Sequence, residues 1–210
     1  LYVYWEEAMS PTPLDGLIIT GAPVEHLPFE EVNYWNELVN LIEESKLKCA
    51  STLGLCWAGF AMAYMAGVEK NIFNKKLFGV YPMRSLVPGH SLMGTQDDEF
   101  FCPQSRHAGL DDFEMEKAEK EGKLRLLAHG EKVGYTIFET PDQRQLMHLG
   151  HPEYNVDRLK SEMDRDKKRG DVPPPENFDL TKSNTSWRSH RNLLFQQWLW
   201  FCYQRVSLSV

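Results

Sequence analysis

Cys56 lies in Ser51-Thr-Leu-Gly-Leu-Cys56-Trp-Ala-Gly-Phe-Ala-Met-Ala-Tyr64, a stretch that reads as a short buried strand, a sharp turn carrying one cysteine, and a helix. A nucleophile projecting from a strand-to-helix turn needs small residues two before and two after it, and Gly54 and Ala58 supply them. The helix that follows aims its N-terminal amides at the sulfur, which stabilises negative charge there and offers donors to a developing oxyanion. The plainer reading of Cys56 is a small buried hydrophobe, and the local pattern alone leaves the two level. A second stretch tips the balance. Gln145-Leu-Met-His-Leu-Gly150-His151-Pro152-Glu153-Tyr154 is an apolar run, expected as a core strand, that ends in His151 with Glu153 two positions on. A cysteine nucleophile needs an imidazole to take its proton and a third group to hold the tautomer. On its own His-Pro-Glu reads as a loop with a capping carboxylate. With the elbow 95 residues earlier, a Cys56–His151–Glu153 triad is the better reading.

The elements that must position these groups alternate along the chain. Leu17 to Thr20 is expected as a strand, and Gly21-Ala22-Pro23 as the loop at its carboxyl end, where open α/β sheets collect ligands. Phe29 to Glu44 carries Val32, Trp35, Leu38, Val39 and Ile42 at helical spacing. Met62, Tyr64 and Met65, on the helix after Cys56, read as core. Lys75 to Tyr81 starts a strand, and Gly89 to Arg106 reads as loop with a solvated acidic rim at Asp97, Asp98 and Glu99. Leu124 to Ala128, Gly134 to Phe138 and Gln145 to Leu149 form a meander of short strands. A charged helix is expected from Val156 to Arg169, its basic residues Arg158, Arg165 and Lys168 reading as a solvated face; Pro173 to Pro175 break the chain after it, and a final aromatic helix runs from Trp187 to Phe201.

Several ordered stretches resemble the homoserine O-acyltransferase family, the homoserine trans-succinylases and trans-acetylases, which share the class I glutamine amidotransferase fold. They are Asp15-Gly-Leu-Ile-Ile-Thr-Gly-Ala-Pro23 with Tyr34-Trp35, Ser51-Thr52-Leu53 leading to Cys56-Trp57-Ala58, Gln104-Ser105-Arg106, Gly150-His151-Pro152-Glu153-Tyr154, and Ser186-Trp187-Arg188-Ser189-His190 with Asn192 to Phe195. The resemblance implies a three-layer, mostly parallel sheet flanked by helices, flavodoxin-like in outline, over residues 1–210 as one acyltransferase domain. It implies that Cys56 carries the acyl group as a thioester, that His151 is the general base and that Glu153 orients it. Arg165 matches the arginine that holds the amino-acid carboxylate, and Lys76 and Ser105 match two further substrate-contacting positions. Glu25 matches the position linked to acyl-donor choice, where glutamate goes with acetyl and glycine with succinyl. The Trp57 amide, with one from Gly21 to Pro23, forms the expected oxyanion hole.

On this resemblance the expected activity is transfer of acetyl from acetyl-CoA, as co-substrate, to the hydroxyl of L-homoserine by a ping-pong route, with no cofactor and no metal. L-Serine is the alternative acceptor, because the family usually continues Phe78-Gly79-Val80-Tyr81 with glutamate and histidine where this chain has Pro82-Met83. A glutamine amidotransferase-like cysteine hydrolase and a non-catalytic relative are the rival readings. Relatives carry a further N-terminal segment, and its acyl-pocket lysine has no counterpart here; the start at Leu1, through Tyr2 to the Pro11–Pro13 turn, reads as the middle of a longer protein. A net charge of −7 and a pI near 5.5 argue against nucleic acid. Cys49, Cys56, Cys102 and Cys202 lack metal-ligand spacing and are too sparse for a disulfide scaffold, which fits a cytoplasmic protein; no membrane partner is expected, and a homodimer is an assembly the resemblance allows.

Overall fold

The computed structural model describes residues 2–8, 14–167, 173–179, 181–182 and 184–207. Seven strands make one sheet: β1 (Gly16–Ile19), β2 (Ser51–Leu55), β3 (Lys70–Ser85), β4 (Glu99–Leu110), β5 (Arg125–Gly130), β6 (Gly134–Glu139) and β7 (Gln145–His148), in the order β1-β2-β7-β6-β5-β3-β4. The helices are α1 (Trp5–Ala8), α2 (Trp35–Lys48), α3 (Trp57–Met65), α4 (Asp112–Lys120), α5 (Val156–Lys167) and α6 (Arg188–Ser207). The α/β class and the flanking helices are as expected, but the sheet is mixed rather than mostly parallel. β1, β2 and β7 run parallel, and every pairing from β7 through β6, β5 and β3 to β4 is antiparallel. The cause is connection length: the short turns between β5, β6 and β7 have no room for the crossover that parallel neighbours require, whereas α2 provides one between β1 and β2.

Period-2 alternation splits the core between the two sheet faces. On β7, Leu146 joins Leu53, Leu55, Ile137 and Trp198 on one side, while Met147 joins Trp57, Phe60 and Phe138 on the other. Each such side chain stabilises the fold by roughly 1.5–3 kcal/mol through loss of hydrated apolar area. Met62 is buried in the second of these clusters, with Tyr64 and Met65 packed against it, so all three are core.

Three expected elements are redrawn. The periodicity over Phe29 to Glu44 resolves into a 3-10 turn at Phe29–Glu31, an extended Val32 and α2, because the extended backbone at the Val32 cap ends the first turn. The supposed loop from Gly89 to Arg106 already contains β4 from Glu99: Phe100 and Cys102 are buried and Phe101 is exposed, a strand alternation masked by the acids in front of it, which are themselves exposed. α4 was not foreseen; the Asp111 side chain caps it by accepting from the amides of Phe113 and Glu114. α5 is described to Lys167, so Lys168 and Arg169, like Pro11 to Pro13, lie outside the described residues. Beyond the prolines, Glu176 pairs with the backbone of Phe78 and Val80, which lays this segment along β3. Phe78, Val80, Tyr154, Val156, Leu159 and Trp187 then make a third apolar cluster, which seats α5 beside β3. Among the described residues no helix is long and apolar enough to cross a membrane.

Candidate active site

Cys56 is the residue where β2 becomes α3, and its backbone sits at φ 51°, ψ −116°. A non-glycine residue there is strained, and such strain persists only where the surroundings enforce it. The enforcing contacts are present: the Cys56 amide donates to the His148 carbonyl at 2.8 Å, and its own carbonyl accepts from Phe60 at 3.2 Å. A Cβ on Gly54 would sit 3.2 Å from the Ala58 carbonyl, so the small residues that flank the turn are needed for its closure. Gly21 meets the sulfur from the β1 side. A Cβ there would lie 3.1 Å from the Cys56 Cβ, 3.5 Å from its Sγ and 3.6 Å from the Trp57 amide nitrogen, so the β1 loop and the first amide of α3 converge on one spot beside the thiol.

His151 follows the end of β7, held by its amide donating to the Pro103 carbonyl at 2.8 Å. Its Nδ1 is 2.7 Å from Glu153 Oε1. Nε2 is thereby the nitrogen left for Cys56. Burial works against the imidazolium, but the Cys56 sulfur, to which His151 is hydrogen-bonded, and the Glu153 carboxylate overcome it and lift the His151 pKa to about 10. The sulfur and the carboxylate thus both favour the protonated ring. The three predicted triad members are therefore together.

Glu25 lies over the thiol, with Oε1 4.0 Å from Cys56 Sγ and Oε2 accepting from the His107 amide at 3.3 Å. Its burial raises its pKa, opposed by that amide and by the charges of Lys76 and His151. The carboxyl group thus fills space next to the sulfur as well as bringing charge to it.

The three residues matched to substrate contacts also meet, around two carboxylates of α5. Lys76 Nζ is 2.7 Å from Asp166 Oδ2 and 3.5 Å from Glu162 Oε2. Ser105 Oγ donates to Glu162 Oε2, and Arg165 reaches Asp166 Oδ1 at 2.9 Å and Glu162 Oε1 at 3.6 Å. Arg158 lies 3.4 Å from the same Glu162 oxygen. Burial raises the pKa of both carboxyls, but Ser105, Lys76 and Tyr154 around Glu162, and Arg165 and Lys76 around Asp166, outweigh it and keep both low. Three cations thus face two anions. Pro82 and Met83 stand apart from this cluster, about 20 Å of strand contour beyond Lys76 at the usual rise per residue. Met83 is core, packed with Leu53, Leu55 and Phe100, and Pro82 is exposed.

Sequence reasoning missed Glu162 and Asp166, to which it gave no part while reading the basic residues of the same helix as a solvated face. A signal was available: Val156, Leu159 and Met163 mark the inward stripe of α5, and Glu162 and Asp166 continue it at helical spacing. It also gave no role to Arg106, whose guanidinium is fully buried and pairs with no carboxylate among the described residues. Its Nε donates to Gln104 Oε1 at 2.9 Å, and Nη1 and Nη2 donate to the carbonyls of Ala108 and Val133 at 2.5 and 2.6 Å. Burial pushes its pKa down to about 10, and Cys56 and Glu25 are the leading groups that hold it up, so a fixed cation lies within electrostatic reach of the thiol.

A thiol on a strained strand-to-helix turn, a histidine and a glutamate at the end of the adjacent parallel strand, and helices on both faces are the arrangement of the class I glutamine amidotransferase-like fold. Solved structures agree on the fold: a glutamine amidotransferase of Thermotoga maritima superposes with a TM-score of 0.63 at 14% identity over 96% of this chain and 81% of its own. A glutamine amidotransferase of Methylobacillus flagellatus gives 0.59 at 13% identity, over 91% and 74%. Within that class the sequence profile of the homoserine O-succinyltransferase family matches residues 1–208, and the chain belongs to this family. It is 40% identical over 200 residues to the homoserine O-acetyltransferase of Agathobacter rectalis and 42% identical over 200 residues to that of Bacillus mycoides, in each case over 91% of this chain. It spans 64% and 65% of the length of those two relatives.

Proposed function

We propose that this chain moves an acetyl group from acetyl-CoA to the side-chain hydroxyl of L-homoserine through a thioester on Cys56. One observation carries the reading: an elbow thiol with a charged histidine partner stands in the same site as a cluster in which Lys76, Arg158 and Arg165 outnumber Glu162 and Asp166 by one charge. A surplus cation beside an acyl-accepting nucleophile suits an acceptor with a free carboxylate, which a planar guanidinium such as Arg165 can grip with two hydrogen bonds. The homoserine O-acetyltransferases to which the chain is similar support the same acceptor and acyl group.

The steps follow from the groups in place. His151 takes the Cys56 proton, and the sulfur attacks the acetyl carbonyl of acetyl-CoA; the oxyanion meets the Trp57 amide and the Gly21 to Pro23 backbone. The bond to the CoA sulfur breaks, and the His151 proton leaves with the CoA thiol. The same nitrogen then removes the proton from the amino-acid hydroxyl, whose oxygen attacks the thioester carbon, so that the ester forms and the Cys56 sulfur is released. Glu25, close above the sulfur, leaves room for a methyl group and meets the carboxylate of a longer succinyl chain with repulsion. No cofactor takes part in this scheme, and acyl-CoA and amino-acid substrates suit a cytoplasmic enzyme.

Homoserine and serine differ by one methylene, worth about 1–3 kcal/mol in an apolar pocket. The burial of Met83 in the core and the distance along β3 from Lys76 to Pro82 weaken the motive for serine. The test is kcat/KM for both amino acids with acetyl-CoA on the full-length protein. The reading expects homoserine to be favoured at least tenfold, and a tenfold preference for serine would overturn the acceptor.

A further inference from the structure

We propose that Tyr154 and Glu162 form a positioning pair that couples the acceptor-binding side chains to the catalytic imidazole. The proposal rests on the reading of Cys56, His151 and the Lys76–Ser105–Arg165 cluster given above, and it concerns groups to which that reading assigns no part in the chemistry. The Tyr154 ring lies nearly parallel to that of His151, with centroids 4.1 Å apart and an interplanar angle of 18°. Its hydroxyl donates to Glu162 Oε1 at 2.8 Å. The other oxygen of that carboxylate accepts from Ser105 and from Lys76. One buried carboxylate therefore touches a residue stacked on the base and two residues of the acceptor pocket.

Each end of the link has a mechanical reason. Glu153 holds Nδ1 of His151 and the Cys56 sulfur meets the ring on its other side, contacts in the plane of the ring that leave it free to rock about the line between them. A face contact removes the rocking, and Tyr154 is itself anchored, its carbonyl accepting from Trp187 Nε1 at 2.8 Å and its amide donating to the His151 carbonyl at 3.1 Å. A phenol whose hydroxyl is held by a carboxylate presents a more electron-rich face to the imidazolium over it, which strengthens the stack. At the other end, Glu162 neutralises and aligns Lys76 and Arg165, so that they meet an incoming carboxylate in one fixed arrangement. The nitrogen that serves both half-reactions is thus held by the same carboxylate that organises the pocket for only one of them.

That asymmetry supplies the test, made on the full-length protein with Tyr154→Leu, Tyr154→Phe and Glu162→Gln, each checked for folding by its melting transition. Acetylation of Cys56 by acetyl-CoA is followed by CoA release in a single turnover, and acetyl transfer from the thioester is followed against L-homoserine concentration. Tyr154→Leu should slow both half-reactions about tenfold with the KM for homoserine within threefold of wild type, and Tyr154→Phe, which keeps the ring, should recover most of that loss. Glu162→Gln should raise the KM for homoserine at least tenfold and also slow Cys56 acetylation at least threefold, although the acceptor takes no part in that step. Wild-type acetylation rates in Glu162→Gln, or in a folded Tyr154→Leu, would overturn the coupling. If acetyl-CoA does not acetylate the wild-type enzyme, the proposed function fails on its own, and the pair is then judged by alkylation of Cys56 with iodoacetamide at pH 7. A slowing of at least threefold in Tyr154→Leu supports the pair, and an unchanged rate overturns it.

Discussion

Acid should loosen this protein from beneath its active site, through His190. The ring is buried, stacked on Phe100 at 3.9 Å, and neither of its nitrogens has a hydrogen-bond partner among the described residues. Burial pushes its pKa from 6.5 down to about 4. The sign follows: a histidine held neutral in the fold contributes stability that is intact above the unfolded value of 6.5 and is lost as pH falls through 4, because the unfolded chain binds the proton first. The full loss below pH 4 is about 3 kcal/mol, from 2.5 units at 1.36 kcal/mol each, and about 2 kcal/mol of it is gone by pH 5. His148, 6.5 Å away and also held well below its ordinary value by burial and by its neighbour His190, adds in the same direction. Its Nδ1 accepts from the Gly150 amide at 3.0 Å, so its protonation breaks a contact in the turn that delivers His151. The assay is urea unfolding at pH 7.5 and pH 5.0 for the wild type and for His190→Met, an apolar side chain of similar volume. Titration of groups away from this pair is shared and cancels in the difference, while removal of His190 also relieves His148 and so changes the difference in the same direction. The variant should lose about 2 kcal/mol less between the two pH values, a smaller midpoint shift by roughly 1 M urea at an ordinary m-value. Equal pH dependence in the two proteins would refute the reasoning.

Cys56→Ser should cut acetyl transfer at least a hundredfold, because the neighbouring groups are arranged for a thiol that shares a proton with His151, and a hydroxyl gives that proton up far less readily; steady-state turnover is the measurement. Cys56→Ala and His151→Ala should cost similar amounts and the double variant little more, since the two act as one unit, and additive losses would break the triad assignment. Glu25→Gly empties the space 4.0 Å from the sulfur, so the ratio of kcat/KM for succinyl-CoA to that for acetyl-CoA should rise at least tenfold; an unchanged ratio would remove Glu25 from donor selection.

The readable parts of this chain were those where chemistry depends on residues close together in sequence. The elbow needs Gly54, Cys56 and Ala58 within one turn, and that turn folds as expected, with a strain at Cys56 that the sequence did not announce. His151 and Glu153 are two positions apart and meet through a short local hydrogen bond. β5, β6 and β7 were bounded to within a residue or two because turn residues punctuate them. The misreadings came where a local pattern had two solutions. Phe29 to Glu44 carries helical spacing across a break at Val32, and Glu99 to Arg106 is strand behind an acidic, loop-like lead.

By itself the sequence determined the α/β class and the placing of Cys56, His151 and Glu153 as a candidate triad, since strand-to-helix turns, apolar runs and an adjacent acid and imidazole are short-range signals. Only the tertiary structure decided the direction of most strand pairings, which depends on where each connection lands, and the burial of charge. Glu162 and Asp166 carry no mark in the sequence that sets them apart from the other acids of this charged helix until β3 brings Lys76 and β4 brings Ser105 against α5. Arg106 reads as one basic residue among many until it is enclosed within electrostatic reach of Cys56, with no carboxylate partner among the described residues. Whether a charge is solvated or fixed in a low-dielectric interior depends on what packs over it from distant parts of the chain, and the strength of its field at the thiol depends on the same packing.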